Sequence, residues 1–255
     1  MRLHLFEWED QPWFPDFLRS AMTKYLAAAY GITPFPKRWA NCLSKLMSRD
    51  VTTEIVDLGS GSGGPIAHVV KELGEGGFKA SVTLTDLHPN VSRFECIAAG
   101  SSIRYWPEPV DATRVPDALS GIRTMFASFH HFRPQAAGGI LRDAFEQRRP
   151  ICIFEGTSRT PAAIASTLLI PFLVLLLTPL VRPLSWMQIL LTYLVPILAL
   201  LIFWDGLVSQ LRTYSVQELE EFTRDLQLPA YRWEAGLIGI PRMPAGVPYL
   251  IGWPE

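Results

Sequence analysis

This sequence has few cysteines and almost no net charge, and each of these two features excludes a class of protein. The three cysteines, Cys42, Cys96 and Cys152, are scattered without CxxC spacing, so neither a disulfide framework nor a zinc site is indicated. The formal net charge of the 255 residues is -1, which leaves no excess of Lys and Arg for nucleic-acid phosphates. We therefore expect a reducing compartment, no nucleic-acid partner and no metal.

Charge is also absent from one long segment, residues 161–206, which we call the apolar hairpin. Between Arg159 and Asp205 the only charged residue is Arg182. The two uncharged stretches that flank it have about 20 residues each, roughly the length of a membrane-spanning helix. Three structures stay open: a transmembrane hairpin, a hairpin that enters one leaflet, and a helical pair buried against the domain or a partner.

The apolar hairpin predicts association with a membrane, because an exposed apolar surface of its size would aggregate in water. Prolines at 171, 179 and 196 are expected to kink its helices and shorten their reach. Near the N-terminus, by contrast, Glu7, Glu9 and Asp10 interrupt the apolar run that a signal peptide requires. The catalytic part is therefore expected to stay in the cytoplasm, with membrane lipid as a partner.

Elsewhere the apolar pattern alternates between strand and helix periods. Ser215 is expected to cap a helix at 216–226, with Glu218 closing a capping box, and Asp16 to cap one at 16–30. Strand followed by helix and strand implies parallel pairing. The other predicted elements are strands at 54–58, 80–85, 124–128, 150–155, 232–240 and 247–252 and helices at 37–47, 66–73 and 134–147.

The strongest chemical signal follows the first predicted strand. The run Val-Asp-Leu-Gly-Ser-Gly-Ser-Gly-Gly occupies residues 56–64, and a glycine-rich turn of this kind lets backbone approach a ligand closely. Gly59, Gly61 and Gly64 also satisfy the GxGxxG spacing of dinucleotide-binding folds. The pattern by itself therefore leaves NAD and other adenosine-bearing cofactors open.

The residues around this turn narrow the choice. Asp57 lies inside the strand, two residues before the first glycine, a position that the dinucleotide fingerprint does not specify. With it, the run resembles motif I of the class I S-adenosylmethionine-dependent methyltransferases. Asp86 closes the second strand, where that family places an acid that binds both ribose hydroxyls. Val-Asp-Ala at 110–112 resembles the acid that the family places beside the adenine amino group.

This resemblance implies S-adenosylmethionine as the cofactor. It also implies an α/β fold with a doubly wound, mostly parallel, seven-stranded Rossmann-like methyltransferase sheet, into which the apolar hairpin is inserted after the fifth strand. The implied units are an N-terminal helical lid (1–49), a cofactor-binding core (50–160), the apolar hairpin (161–206), and a C-terminal helix with a terminal β-hairpin (207–255). The residues assigned to the cofactor are Asp57, Gly59, Ser60, Gly61, Gly63, Asp86, Leu87, Asp111, Ala112 and Ser128.

Two histidines, His130 and His131, follow the fourth predicted strand, where the family brings side chains near the transferable methyl group. An imidazole titrates close to neutral pH, which suits the deprotonation of a phenol or a similar hydroxyl. We expect an extended segment whose adjacent side chains point to opposite sides, so that only one histidine faces the pocket and the pair makes a poor metal site. His131 is favoured as the base. The alternative is a structural role, since similar methyltransferases often carry a histidine here that catalysis does not need.

Four further residues are candidates for substrate contacts. Glu155 ends the fifth strand, where it is placed to orient an amine or hydroxyl or to pair with Arg159. Trp13, Phe14 and Tyr25 lie on the segment before the first strand, which commonly covers the pocket in this family. The alternative for these three aromatic residues is a place in the core.

Together these features predict a membrane-associated methyltransferase that acts on a lipophilic small molecule, most simply at oxygen. The alternatives are a non-catalytic nucleotide-fold scaffold assembled through the apolar hairpin, N-methylation of a lipid headgroup, and a nicotinamide-dependent reductase. The reductase would need a hydride-transfer pair such as Tyr-x-x-x-Lys, and the sequence places none near the predicted strand ends. The intact glycines and acids of the motifs argue against the scaffold.

Overall fold

A seven-stranded sheet forms the centre of the protein. The structure is a computed structural model that describes residues 2–50, 52–61, 63–99, 101–227, 230–241, 243 and 245–255. The strands lie in the order β3-β2-β1-β4-β5-β7-β6, and all but β7 run in one direction. This confirms the predicted sheet with one reversed strand. The strands are β1 (Glu54–Asp57), β2 (Ser81–Leu84), β3 (Ile103–Tyr105), β4 (Ile122–Phe126), β5 (Ile151–Phe154), β6 (Tyr231–Ile238) and β7 (Val247–Pro254).

Helices cover both faces of the sheet and precede or follow its strands. Among the predicted elements, β4 ends two residues early, so that Ala127 and Ser128 lie in the following loop, and α10 ends at Thr223 rather than at 226. The helices are α1 (Asp16–Ile32), α2 (Phe35–Asp50), α3 (Ile66–Glu75), α4 (Val91–Ala98), α5 (Pro134–Glu146), α6 (Pro161–Ser166), α7 (Ile170–Leu177), α8 (Trp186–Ile189), α9 (Ile197–Arg212) and α10 (Val216–Thr223).

Of the two helix caps that the sequence predicts, the structure confirms the one near the C-terminus and contradicts the one near the N-terminus. The Ser215 hydroxyl accepts the Glu218 amide, and the Glu218 carboxylate accepts the Ser215 amide at 2.8 Å, which confirms the predicted capping box. The prediction that Asp16 caps α1 is wrong. Pro15 holds the cap position, and Asp16 is the first helical residue, where its carboxylate pairs with Arg19 instead of a backbone amide.

Alternate residues of the buried strands pack into two separate hydrophobic cores, one on each face of the sheet. Ile55 of β1 packs in the cluster that α2, α3 and α4 build on one face, and Val56 packs in the cluster that α5 and α10 build on the other. Because successive side chains of a strand point to opposite faces, a strand buried on both sides needs an unbroken apolar run. Strands β4 and β5 are buried along their whole length for this reason.

One charged side chain breaks this apolar rule inside β4. Arg123 is fully buried, and its guanidinium donates to Asp143 at 2.8 Å and to Gln147 at 2.7 Å, both near the C-terminal end of α5. Burial lowers the pKa of Arg123, and the Asp143 charge opposes that effect. The ion pair therefore joins the middle of the sheet to the helix that covers it.

The apolar hairpin packs as two limbs against α1. The first limb, Pro161–Leu180, is one helical stretch long and apolar enough to cross a membrane. The return limb meets that criterion only if two helices bent by 80°, Trp186–Leu194 and Ile197–Arg212, are counted as one span. The bend falls at Pro196, one of the predicted kinks, while Pro171 and Pro179 each stand in the first turn of a new helical segment. An apolar insertion after β5 is therefore confirmed.

Replacing Asp143 with Ala is expected to lower the free energy of unfolding by about 3 kcal/mol, because breaking a buried ion pair leaves an uncompensated charge. Arg142→Ala is the matched control: this residue is exposed on the same helix, and exposed substitutions usually change stability by less than about 0.5 kcal/mol. Urea unfolding followed by circular dichroism measures both. Equal losses in the two variants would contradict the role assigned to the Arg123–Asp143 pair.

Candidate functional site

The glycine-rich turn after β1 has the backbone that its composition predicts. Gly59, Gly61 and Gly63 have φ values of 63°, 54° and 90°, in the region that favours glycine. A Cβ placed on Gly61 would meet no atom within 4 Å, so open space adjoins the turn there. Ser62, in the middle of the predicted turn, lies outside the described residues. The turn therefore offers exposed backbone at the carboxyl end of a central strand.

Asp86 joins this turn to the end of β2. One carboxylate oxygen accepts the Gly61 amide at 2.7 Å, and the other accepts the His88 amide at 2.8 Å. A carboxylate has about four acceptor positions, so two bonds leave acceptor capacity for hydroxyl groups of a ligand. The next residue, Leu87, is half exposed. The sequence placed Asp86 and the glycine turn at one site, and the structure brings them into direct contact.

The loop after β3 reaches the same edge of the sheet. The Val110 amide donates to the Asp86 carbonyl at 2.8 Å, which ties this loop to the end of β2. Asp111 is exposed, and one of its carboxylate oxygens accepts both the amide and the hydroxyl of Thr113 at 2.8 Å. Ala112 is buried behind it. Hydrogen bonds thus connect Gly61 to Asp86, and Asp86 to Val110, the residue before Asp111.

Asp57 supports the turn from below. It is buried, with one carboxylate oxygen 2.7 Å from the Ser60 hydroxyl and the other 2.9 Å from the Thr124 hydroxyl. Burial raises the pKa of Asp57 to about 7, and these two hydrogen bonds oppose the rise. Both oxygens are used inside the protein, so Asp57 holds β1, the turn and β4 in register.

The two histidines after β4 do not lie on extended chain. Phe129–His131 forms a single 3-10 turn, here called the histidine turn, and its two imidazole rings lie 4.4 Å apart at an angle of 30°. The expectation that the rings point to opposite sides is therefore wrong. A 3-10 turn advances about 120° per residue instead of the 180° of a strand, which keeps His130 and His131 on one side.

His130 pairs with the residue that ends β5. Its Nδ1 donates to Glu155 Oε2 at 2.8 Å, and both side chains are buried. The other oxygen of this carboxylate, Oε1, is buried without a hydrogen-bond partner among the described residues. Buried polar atoms almost always have a partner in folded proteins. An unpaired carboxylate oxygen at the strand ends is therefore a candidate acceptor for a ligand hydroxyl or amine.

His131 belongs to a different network, in which the N-terminal segment takes part. Its Nδ1 lies 2.8 Å from Asp10 Oδ1 and 3.4 Å from Glu7 Oε2. Burial alone would lower the pKa of His131, but the negative charges of Glu7 and Asp10 outweigh burial and raise it to about 9. His131 is therefore a cation at neutral pH.

Glu7, His130 and His131 place possible metal-ligand atoms within 4.8 Å of one another. Arg212 already stands in this group: its Nη1 lies 3.3 Å from Glu7, 2.6 Å from Asp10 and 3.4 Å from His131 Nδ1. A divalent ion would meet that permanent positive charge, since a guanidinium does not deprotonate in proteins. The arrangement is an ion-pair network.

Residues 2–14, here called the N-terminal strap, bring Glu7 and Asp10 to the histidine turn. Arg2 donates to the His130 carbonyl at 2.8 Å, and Asp205 of α9 accepts the Trp8 amide at 2.8 Å. Sequence reasoning used the acids of the strap only to exclude a signal peptide. Because the strap, the histidine turn and Arg212 lie far apart along the chain, no local pattern could have found their contact.

The predicted lid aromatics have different positions. Trp13 is largely exposed, and its ring contacts the edge or face of the Trp8 ring in a T-shaped pair. Phe14 and Tyr25 are buried in the cluster that α1 forms with the apolar hairpin. The Tyr25 hydroxyl lies 2.9 Å from the Thr178 hydroxyl and 2.8 Å from the Thr192 hydroxyl. For Phe14 and Tyr25 the structure therefore places the side chains in the core between α1 and the apolar hairpin.

Tyr30, which sequence reasoning missed, stands at the strand ends instead. A Cβ placed on Gly156 would lie 2.8 Å from the Tyr30 hydroxyl oxygen and 3.3 Å from the Ala127 side chain. Burial and the nearby Glu155 charge raise the pKa of Tyr30. Ala127 has a φ of 50°, an unusual value for alanine. The sequence signal that could have located Tyr30 was the pair of small residues at the ends of β4 and β5, Ala127 and Gly156, which leave room for its ring.

No protein-family model matches this chain, and no curated protein matches it. Its fold is similar to that of the plantazolicin methyltransferase BpumL in complex with SAH, with 13% identity and a TM-score of 0.55 over 97% of this chain and 93% of that chain. BpumL in complex with a monoazolic desmethylPZN analog and SAH gives 12% identity and a TM-score of 0.55, over 94% of this chain and 98% of that chain. The mitomycin 7-O-methyltransferase MmcR is similar over 87% of this chain and 54% of that chain, with 17% identity and a TM-score of 0.50. At such identities the likeness establishes a shared fold.

Proposed function

We propose that this protein is an S-adenosylmethionine-dependent methyltransferase. The observation that carries the proposal is the bonded chain from Gly61 to Asp86 to Val110, which gathers the predicted cofactor residues at the carboxyl ends of β1, β2 and β3. In open α/β sheets this edge is where ligands bind. BpumL, which shares the fold, was crystallised with SAH, and MmcR is named as an O-methyltransferase.

The residues present fit such a cofactor. The exposed backbone around Gly61 suits its amino-acid part, the spare acceptor positions of Asp86 suit the ribose hydroxyls, and Asp111 suits the adenine amino group. Gly59, Ser60, Gly63, Leu87, Ala112 and Ser128 complete the predicted lining, and Asp57 acts through Ser60. The bound cofactor would supply an electrophilic methyl group, so the protein has to align an acceptor and exclude water.

We assign the acceptor to Glu155, Tyr30 and His130. The unpaired Glu155 Oε1 receives the hydroxyl of the acceptor and takes its proton, while His130 fixes the other carboxylate oxygen. The Tyr30 ring, at the ends of β4 and β5, closes one side of this position. A hydroxyl that must lose a proton needs a base at hydrogen-bond distance. This favours O-methylation, with Glu155 rather than His131 as the base.

His131 then has the structural role that the sequence left open. At a pKa of about 9 it is protonated at neutral pH and donates to Asp10, which holds the N-terminal strap over the histidine turn. A protonated imidazole has no free lone pair with which to accept a proton. We therefore assign His131 a positioning role: it holds the N-terminal strap in place and does not take the proton of the acceptor.

A lipophilic acceptor and a membrane location complete the proposal. The apolar hairpin begins at Pro161, a short loop after Glu155, and its return limb continues through α9 to Arg212 in the ion-pair network. An apolar surface connected to the acceptor side through α9 suits a molecule that partitions into lipid. Trp13, exposed on the strap side, is placed to contact such a molecule.

The cofactor assignment is tested by titrating S-adenosylmethionine into the protein by calorimetry. Asp86→Ala is expected to weaken binding by about tenfold to a hundredfold, since hydrogen bonds to a charged group contribute about 1.5–3 kcal/mol. Asp117→Ala, at an exposed acid in a neighbouring loop, should bind as the unaltered protein does. Equal affinity in Asp86→Ala, or no binding by the unaltered protein, would reject the assignment.

The base is tested with tritiated S-adenosylmethionine and a panel of lipophilic phenols. Glu155→Gln keeps the shape of the side chain but cannot take a proton, so kcat should fall by about 10²–10⁴-fold while cofactor affinity stays unchanged. Glu146→Gln, at an exposed position, serves as the control. Transfer to a phenol by Glu155→Gln at the unaltered rate would exclude Glu155 as the base, and transfer to no phenol would contradict the acceptor class.

The role of His131 is tested by the pH dependence of thermal unfolding. Its pKa in the folded protein, about 9, lies above the ordinary histidine value of 6.5, so its stabilising contribution is complete below about pH 6.5 and disappears as pH rises through 9. His131→Asn should therefore lower the melting temperature at pH 6 and have a progressively smaller effect toward pH 9.5. A difference that does not change with pH would contradict the cationic ion pair.

A further inference from the structure

The apolar hairpin exposes large apolar side chains on both of its limbs. Leu176 and Leu194, one on each limb, are 73% and 74% exposed, and Trp186 at the start of the return limb is 70% exposed. Leu169, Phe172 and Leu200 extend the same surface. Soluble monomers rarely expose contiguous apolar patches of more than a few hundred Å². This face therefore needs a cover, and its chemistry is purely apolar.

The opposite side of the hairpin is fastened to α1. Tyr25 on α1 is in hydrogen-bond contact with Thr178 on the first limb and Thr192 on the return limb, and all three side chains are buried. Val174 and Leu198, one from each limb, pack beside Tyr25 in the same cluster. Separating the limbs from α1 would take the Tyr25 and Thr192 hydroxyls away from these partners, and the Thr178 hydroxyl would keep only its bond to the Val174 carbonyl. The hairpin and α1 therefore move into any environment together.

Helix α1 carries charges along this contact. The Lys24 ammonium lies 3.4 Å from the Pro183 carbonyl in the turn between the limbs, and the Arg19–Asp16 pair lies one to two turns earlier on α1. Five residues of helix span about 7.5 Å, so a hydrocarbon layer of about 30 Å around the limbs would enclose charged groups of α1. Placing one charged side chain at the centre of a bilayer costs about 2.5–3.5 kcal/mol of insertion free energy.

The return limb is too short to cross. Trp186–Leu194 has nine residues before the 80° bend, which is about 14 Å of helix at 1.5 Å per residue and less than half of a bilayer core. Beyond the bend, α9 enters the protein: Asp205, Gln210 and Arg212 are buried, and Asp205 accepts two backbone amides of the N-terminal strap. No uninterrupted apolar path leads back across a membrane in this described segment.

We propose that the apolar hairpin inserts into a single leaflet of a lipid bilayer and does not span it. This inference rests on the membrane association proposed above and states its geometry. The exposed face enters the acyl chains to a depth of about 5–10 Å, as amphipathic interfacial elements do. Trp186 and Tyr193 lie at the polar boundary, and Lys24 and Arg182 reach anionic headgroups beside it.

Flotation with vesicles of phosphatidylcholine and phosphatidylglycerol tests whether lipid covers this face. The unaltered protein should float, and Leu176→Glu with Leu194→Glu should reduce the bound fraction at least about tenfold, because two large apolar side chains contribute about 1.5–3 kcal/mol each on burial. Leu237→Glu is the control, since Leu237 is 60% exposed on β6, outside the hairpin. Failure of the unaltered protein to float, or recovery as a stable dimer that ignores vesicles, would overturn the proposal.

Depth is tested with a cysteine in the turn between the limbs. Leu184→Cys is made in a Cys42→Ser, Cys96→Ser background, and a membrane-impermeant maleimide is enclosed in the vesicles. Insertion into one leaflet predicts no labelling from the lumen and complete labelling after detergent is added. Labelling from the lumen before detergent would show a spanning hairpin. Calorimetry with S-adenosylmethionine on the same preparation separates the two proposals, since cofactor binding without flotation rejects only the membrane claim, and flotation without cofactor binding rejects only the activity.

Discussion

The hydrogen bond from the Gly61 amide to the Asp86 carboxylate organises the carboxyl edge of the sheet, where we propose that the cofactor binds. It joins the turn after β1 to the end of β2, and the Val110 amide on the Asp86 carbonyl adds the loop after β3. Helices cover both faces of a parallel sheet, so a crevice opens only at the ends of the strands. The buried Asp57, bonded to Ser60 behind the turn, fixes the position from which Gly61 donates. Three separate loops thereby form one surface.

A second network connects that edge to the apolar hairpin. Helix α9 begins in the exposed apolar face and ends at Arg212, which pairs with Glu7 and Asp10 of the N-terminal strap. Asp10 in turn holds His131 in the histidine turn. Three segments that are distant in sequence, α9, the strap and the histidine turn, therefore meet at one arginine. The proposed acceptor site and the face proposed to meet lipid are therefore connected through one helix, α9.

The sequence predicted those parts of the structure that depend on neighbouring residues. The glycine turn and the Ser215 capping box have short local signatures, while Asp86 and Asp111 were singled out because their short motifs resemble those of the methyltransferase family. The ion-pair network was not found, since Glu7 and Arg212 meet only after folding. Helical spacing identified the apolar face of α1 but not its neighbour, so Tyr25 was expected near substrate although its hydroxyl bonds the apolar hairpin. His131 was favoured as the base because an imidazole titrates near neutral pH. The 3-10 turn and the neighbouring carboxylates, on which its proposed positioning role rests, are tertiary features that no local pattern shows.

The central claim is that Gly61, Asp86 and Asp111 hold one adenosylated sulfonium compound between them. A crystal structure of the protein with S-adenosylhomocysteine tests this most directly. We expect the ribose hydroxyls on the Asp86 carboxylate, the adenine beside Asp111 and the sulfur facing Tyr30 and Glu155. Density for the nucleoside elsewhere, for example in the groove of about 560 Å³ between α2 and the β6–β7 hairpin, or no density in crystals grown at saturating ligand, would contradict it.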